Sequence, residues 1–152
     1  MKPLSMICFT EKAMKVYENC CNPVCKENGI NQTAFDVIMF LFNNPEYNTA
    51  RDISEIRGIR SGIASVAVEN LAQNGYLERK TDASDRRKQR LILTEKAEKV
   101  AEAGRIAQRK FFDLLCSGIS QEEMQMYERI TEKMAANIVM PGFRECETRR
   151  NP

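Results

Sequence analysis

The stretch from position 49 to position 94, TARDISEIRGIRSGIASVAVENLAQNGYLERKTDASDRRKQRLILT, decides the fold. Thr49 and Asp52 form a capping-box pattern that opens a short helix, and Gly58 ends it. Ser61 is the expected N-cap of a second helix, which Gly75 closes. The apolar face of that second helix is predicted from the i, i+3, i+4, i+8 spacing of Ile63, Val66, Ala67 and Leu71. Two helices joined by a tight, glycine-containing turn form a helix-turn-helix.

A β-hairpin with a basic tip follows the second helix. Residues 76–80 and 89–93 have the composition of strands, and a polar loop joins them. Residues 79–90 contain six bases and two acids, so the segment carries +4 while the rest of the chain carries −2. A local basic cluster on a near-neutral body suits an anionic partner, although a solvated charged hairpin would have the same composition.

Helices are expected on both sides of this region. Residues 6–21 predict a first helix that Pro23 interrupts or kinks, and a buried helix capped by Asn31 or Thr33 follows it. Thr94 caps a long helix, and residues 120–123 (SQEE) form a capping box before the last one. The predicted fold is mainly α with a small β-hairpin wing, a winged helix-turn-helix with N- and C-terminal dimerisation helices. We expect one domain over residues 1–152, with a winged-helix lobe at 33–94, dimerisation helices at 1–28 and 95–140, and a frayed tail at 143–152.

Composition excludes several classes of protein. The chain has 152 residues, 43% of them apolar and 29% charged, which is typical of one globular domain. The first ten residues lack the apolar stretch of a secretory signal, and no run is long enough to span a membrane. We therefore expect a cytoplasmic protein with reduced cysteines and no membrane partner. The absence of histidine removes the commonest general base and metal ligand, so we expect no enzyme, no cofactor and no metal site.

Residues 49–94 resemble the MarR family of bacterial winged-helix regulators. Residues 64–79 (ASVAVENLAQNGYLER) look like the recognition helix of that family and its exit, and residues 85–94 (DRRKQRLILT) look like its wing signature. Ser65 and Val66 take the places where the family often has Thr-Arg. With the flanking helices, the resemblance covers nearly the whole chain. It implies a homodimeric transcription regulator, most simply a repressor, that binds a pseudo-palindromic site in double-stranded DNA.

Nine residues are candidates for DNA contacts. The N-terminal half of the second helix should enter the major groove, where small side chains permit close approach. The wing bases should contact phosphates or an adjacent minor groove. Asp85 is expected to orient a wing arginine, and Arg87 to be the inserted one. The candidates are Arg60, Ser61, Gly62, Ala64 and Ser65 on the helix, and Asp85, Arg86, Arg87 and Lys88 on the wing.

Apolar side chains outside the lobe predict a homodimer, because a monomer of this size would leave part of them exposed. An ordinary intramolecular core is the alternative. The candidate dimerisation residues are Phe9, Met14, Phe111, Phe112, Leu115, Tyr127, Ile130 and Met134.

Two forms of regulation are open. The family resemblance implies release from DNA by a small lipophilic or phenolic effector, for which Tyr17, Met39, Phe40 and Phe42 are the candidate pocket, unless they are plain core. A redox-responsive regulator is the alternative, with Cys8, Cys20, Cys21 and Cys25 of the first helix as candidates, unless these thiols are simply small apolar side chains. A winged-helix module that binds other proteins is a further alternative to DNA binding.

Overall fold

In a computed structural model of the chain, the described residues are 3–82, 85 and 87–137. They form eight elements: α1 (Pro3–Glu27), α2 (Gln32–Asn43), α3 (Ala50–Glu55), α4 (Ser61–Gln73), β1 (Leu77–Thr81), β2 (Gln89–Leu93), α5 (Glu95–Leu115) and α6 (Gln121–Asn137). This order confirms the predicted fold class, a mainly helical winged helix-turn-helix. The predicted tail at 143–152 lies outside the described residues.

Helix α2 is the centre of the core. Seven of its twelve residues are buried, and α1, α4 and α5 pack around it. Asn31 caps α2, because its Oδ1 accepts the backbone N–H of Ala34 at 2.8 Å. Gly104 lets α5 approach closely: a Cβ at that position would lie 2.4 Å from Met39 Sδ and 2.9 Å from the ring of Phe35. The long helix α5 is thereby fixed against the lobe that contains α2.

Helix α1 continues through Pro23, so the predicted interruption there is wrong. Proline removes one backbone hydrogen bond and clashes with the preceding turn. Here Pro23 lies on the exposed side of the helix, where water can satisfy the carbonyl that loses its partner. Cys21, Val24 and Cys25 are buried on the opposite side, and their packing carries the helix past the proline.

The helix-turn-helix begins as predicted and differs in the second helix. Thr49 Oγ1 accepts the backbone N–H of Asp52 at 3.1 Å, and Asp52 Oδ2 accepts that of Thr49 at 2.9 Å, which completes the capping box. Gly58 takes a φ of +76°, which ends the first helix in a conformation suited to glycine. Ser61 is the first residue of α4 and Arg60 is the N-cap, without a side-chain cap bond. The prediction that Ser61 is the N-cap is therefore wrong.

The buried face of α4 is also rotated from the predicted one. Ile63 and Val66 are 50% and 62% exposed, so their assignment to the core is wrong. At about 100° per residue, the apolar residues of α4 from Ile63 to Leu71 cover an arc of about 200°, which is wider than one packed face, so the sequence period could not select the buried part of it. Docking against α2 and α3 selects it, with the buried residues Ala64, Ala67, Val68 and Leu71.

The wing is an antiparallel pair in which Leu77 faces Leu93 and Thr81 faces Gln89. The backbone N–H of Leu91 donates to the carbonyl of Asn48 at 2.7 Å, which ties β2 to the loop before α3. Thr94 caps α5 through the N–H of Ala97 and donates to the carbonyl of Gly75 at 2.7 Å. The hairpin is thus fastened at its base to both helix ends that border it.

Helix α6 has little contact with the rest of its own chain. Ser120 and Glu123 form the predicted capping box, with bonds of 2.8 and 3.2 Å between side chain and backbone. Ala135 alone among the residues of α6 is buried. No helix in the described ranges is long and apolar enough to cross a bilayer.

Candidate DNA-binding surface

The outward side of the first turns of α4 is built from small and polar residues. Arg60, Ser61, Gly62 and Ser65 are all exposed, and nothing within 4 Å occupies the place of a side chain at Gly62. Ala64 is 1% exposed and packs into the core, so the prediction that it contacts DNA is wrong. The i, i+3, i+4 pattern of the buried residues places Ala64 on the inward side.

The wing loop is organised around a buried carboxylate that sequence analysis missed. Asp82 is 8% exposed, and its Oδ2 accepts Nε of Arg90 at 2.5 Å while its Oδ1 accepts the backbone N–H of Asp85 at 3.2 Å. Arg90 also donates to Oδ1 of Asn48 at 2.9 Å. These contacts join the two ends of the wing loop to each other and to the segment before α3.

Asp85 acts on the backbone of the loop. Its Oδ1 accepts the backbone N–H of Arg87 at 3.0 Å, and its carbonyl accepts the N–H of Lys88 at 2.9 Å. Asp85 was expected to orient the side chain of an arginine. Within the described residues the carboxylate that binds a wing guanidinium belongs to Asp82, and Asp85 shapes the turn through backbone N–H groups; its role in orienting a wing arginine stays a prediction.

The turn leaves Arg87 and Lys88 exposed at the tip. Arg86, the third predicted base of the wing, lies outside the described residues. In the sequence, the one sign of the Asp82 contact is an acid eight positions before an arginine on the opposite strand of the predicted hairpin. This spacing is too common to identify an ion pair.

An open groove of about 800 Å³ separates the wing from the start of α3. Residues 49–52 line one side and residues 87–90 line the other. On the α3 side, Arg51 pairs with Glu55 at 2.7 Å, and the two side chains are 81% and 43% exposed. The groove therefore presents bases from two elements, Arg51 of α3 and Arg87 and Lys88 of the wing.

A second charged pair lies further along α4. Arg79 on β1 donates to Oε2 of Glu69 at 2.7 Å, and Gln73 donates to Oε1 at 3.0 Å. The hydrogen bond and charge of Arg79 lower the pKa of Glu69, so this carboxylate stays ionised. A surface pair of this kind adds little stability, but it fixes the direction of the Glu69 side chain.

The candidate dimerisation residues are mostly exposed in the protomer. Phe111 and Leu115 are half-buried, and the ring of Phe111 meets that of Tyr17 edge-on with centroids 5.4 Å apart. The remaining six are between 38% and 60% exposed: Phe9, Met14, Phe112, Tyr127, Ile130 and Met134. An apolar surface of this extent on α1, α5 and α6 is unusual for a protein that acts alone.

The candidate effector residues divide into two sets. Met39 and Phe40 are 2% and 6% exposed and belong to the core of the protomer, whereas Tyr17 and Phe42 are half-buried. Tyr17 Oη accepts Nε2 of Gln108 at 3.1 Å. Burial raises the pKa of Tyr17 well above its usual range, so the phenol stays neutral. Met39 and Phe40 fit the plain-core alternative.

The four candidate thiols of α1 lie in different environments. Cys8 is exposed and Cys20 is half-buried, whereas Cys21 and Cys25 are buried. Burial raises the pKa of Cys21 to about 11 and raises that of Cys25 as well, which keeps both protonated at neutral pH. Because the thiolate is the reactive form, the buried pair is poorly suited to sensing oxidants. Within the described residues, no group of three or more His, Cys, Asp or Glu side chains is placed to hold a metal ion.

Comparison with known proteins gives a family match and a set of similar folds. The MarR family matches residues 28–88, which run from the end of α1 to the wing. A MarR protein from Peptoclostridium difficile has a TM-score of 0.75 at 20% identity, covering 90% of this chain and 88% of that one.

The similar structures include complexes with DNA. A MarR-family regulator from Listeria monocytogenes in complex with a 26-mer DNA has a TM-score of 0.75 at 18% identity, covering 91% of this chain and 89% of that one. The S. aureus MepR–DNA complex has a TM-score of 0.68 at 20% identity, covering 89% and 94%. At these identities the likeness concerns the fold.

Proposed function

Because residues 28–88 are a MarR-family winged helix within a chain that has the MarR fold, we propose that the protein binds double-stranded DNA as a homodimeric transcription regulator. The observation that carries the proposal is the exposed, small-residue start of α4 beside a wing whose bases stand outward. A helix of this kind fits the major groove, and its N-terminus favours a phosphate. DNA is the partner of two proteins that share this fold, which supports the same partner here.

The contacts divide by chemistry. Arg60, Ser61, Gly62 and Ser65 approach base edges and the nearby backbone, and Arg87 and Lys88 grip phosphates, together with Arg86. Asp82 and Asp85 hold the wing loop in place and do not themselves touch the anion. With few long polar side chains at the start of α4, phosphate contacts supply a large share of the affinity.

The exposed face of α6 supports the proposed homodimer. This helix of 17 residues leaves Tyr127, Ile130 and Met134 in solvent at i, i+3 and i+7, which is one continuous stripe. A second copy that covers this stripe, with the exposed aromatic residues of α1 and α5, would remove the apolar surface from water. Two-fold pairing also places two copies of α4 on successive turns of a pseudo-palindromic site. A dimer seated there blocks other proteins from the same DNA, so repression is the proposed form of regulation.

The test is selection of genomic fragments by the purified protein, followed by affinity measurements on the selected site. We expect a palindromic site and a log–log plot of affinity against salt with a slope near −0.9 per phosphate contacted. Replacing Arg87 with alanine should lower the slope by about one, whereas Lys99→Ala, on α5 and outside the proposed DNA contacts, serves as the control for loss of an exposed base. A flat salt dependence, with no enriched sequence, would instead favour a winged helix that binds proteins.

Analytical sedimentation tests the homodimer independently of DNA binding. Ile130→Glu places a charge in the stripe on α6 and should give monomer at micromolar concentration, while the wild type sediments as a dimer. Glu132→Lys changes charge on the same helix and is the matched control. A wild-type protein that stays monomeric at these concentrations would contradict the dimer without affecting DNA contacts by α4.

A further inference from the structure

The outward face of α4 carries two apolar side chains where a DNA-reading helix is expected to be polar. Val66 is 62% exposed and Ile63 is 50% exposed. The inward face of the same helix is already complete, since Ala64, Ala67 and Val68 pack into the core. Neither Val66 nor Ile63 is therefore needed for folding of this lobe, and their exposure calls for another partner.

We propose that Val66, flanked by Ile63, contacts the C5-methyl groups of thymines in the major groove, so that the protein selects half-sites with A·T pairs beneath the start of α4. The inference rests on the proposed binding of duplex DNA and specifies which sequences are bound. Thymine is the one standard base with a methyl group in the major groove, and an apolar side chain distinguishes it from the others.

Helix geometry places Val66 where it can reach the base edges. At about 100° per residue, Gly62 lies opposite the buried face and Val66 lies one turn on, about 40° away. Gly62 has open space above it, so the helix backbone can approach the DNA closely there. A close approach at Gly62 brings the two methyl groups of Val66 to the depth of the base edges, with Ile63 at the side of the same face.

Two polar side chains further along α4, Glu69 and Gln73, are engaged with each other, and Glu69 is also engaged with Arg79. Glu69, one turn after Val66, is held by Arg79 at 2.7 Å and by Gln73 at 3.0 Å. These contacts direct its carboxylate toward β1. Over the first two turns of α4, the side chains left to contact base edges are Ser61, Ser65 and the apolar pair of Ile63 and Val66. An apolar pair selects for methyl groups.

The experiment uses the operator selected by the full-length protein. Each thymine is replaced in turn by deoxyuridine, which removes only the methyl group, and Kd is measured by fluorescence anisotropy at fixed salt. We expect about fourfold weaker binding for each contacted methyl, the equivalent of about 0.8 kcal/mol, at one or two positions per half-site. In Val66→Ala the same substitutions should have little further effect, because the partner of the methyl is already gone.

Ile92→Ala is the matched control, since Ile92 is an exposed apolar residue on the wing. It should keep the full sensitivity to deoxyuridine, and circular dichroism verifies that both variants fold. Tight binding that is insensitive to deoxyuridine at every position would overturn the inference while leaving DNA binding intact. Sensitivity that persists unchanged in Val66→Ala would also overturn it. Failure to bind any duplex would overturn the proposed function itself.

Discussion

Replacing Asp82 with asparagine tests whether the wing must be held in place to bind DNA. The side chain of Asp82 is 7% exposed, and that of Arg90 is 44% exposed. Oδ2 of Asp82 accepts the Nε–H of Arg90 at 2.5 Å. Asparagine keeps the shape and can still accept the N–H of Asp85, but it loses the charged bond to Arg90. A hydrogen bond to a charged group is worth about 1.5–3 kcal/mol, and solvent access to the arginine reduces this to about 1–2 kcal/mol of local stability.

Two effects on DNA affinity then oppose each other. Removing an acid near a phosphate strengthens binding, but a unit charge about 10 Å away in water contributes only about 0.4 kcal/mol before screening, which is at most about twofold. Releasing the loop means that Arg87 and Lys88 must be ordered on binding, at about 0.5–1.5 kcal/mol for each long side chain. The hairpin strands still restrict the loop, so we expect a net loss of about 1 kcal/mol, or about fivefold weaker binding.

The assay is fluorescence anisotropy on the selected operator at several salt concentrations, with thermal unfolding measured in parallel. Glu78→Gln is the control, because it makes the same change of charge at an exposed position of β1. It should bind as tightly as the wild type or slightly more tightly. If Asp82→Asn also bound more tightly, charge alone would govern the wing, and the positioning role of Asp82 would be refuted.

Three further predictions concern the rest of the molecule. Gly104→Ala should gain about 1 kcal/mol in helix propensity but lose about 1–3 kcal/mol by forcing Met39 aside, for a net fall in Tm of about 2–4 °C by calorimetry. Asp36→Asn should stabilise the protein at pH 7, because burial raises the pKa of Asp36 and makes its ionised form costly in the folded state. That advantage should shrink as pH falls through the raised pKa, where the wild-type carboxyl becomes neutral too. Alkylation at neutral pH should label Cys8 rapidly and Cys21 slowly, as read by peptide mapping, because Cys21 is buried and protonated.

Each of these predictions has a result that would count against it. A Gly104→Ala protein more stable than the wild type would mean that the core beside α5 is loosely packed. Loss of stability in Asp36→Asn at pH 7 would mean that the 3.2 Å contact with Arg57 outweighs the cost of burial. Equal labelling of Cys8 and Cys21 in the native protein would show that α1 opens readily.

Much of the fold could be predicted from local chemistry. Asn31, Thr49, Thr94 and Ser120 mark helix starts, because each offers a side-chain oxygen to backbone N–H groups that have no partner within the helix. Gly58 and Gly75 mark helix ends because they adopt positive φ. The hairpin and its basic tip follow from composition and spacing. Contacts between neighbours in the chain suffice for all of these features.

Packing between distant segments decided the rest. Pro23 stays within α1 because the helix buries residues beyond it, and Ala64 faces inward while Val66 faces outward because α2 and α3 occupy one side of α4. Asp82 meets Arg90 and Asn48 only once the hairpin has folded against the loop before α3. Because the apolar residues of α4 cover more of the helix than one packed face, the neighbouring elements that exclude water from one side decide which of them are buried.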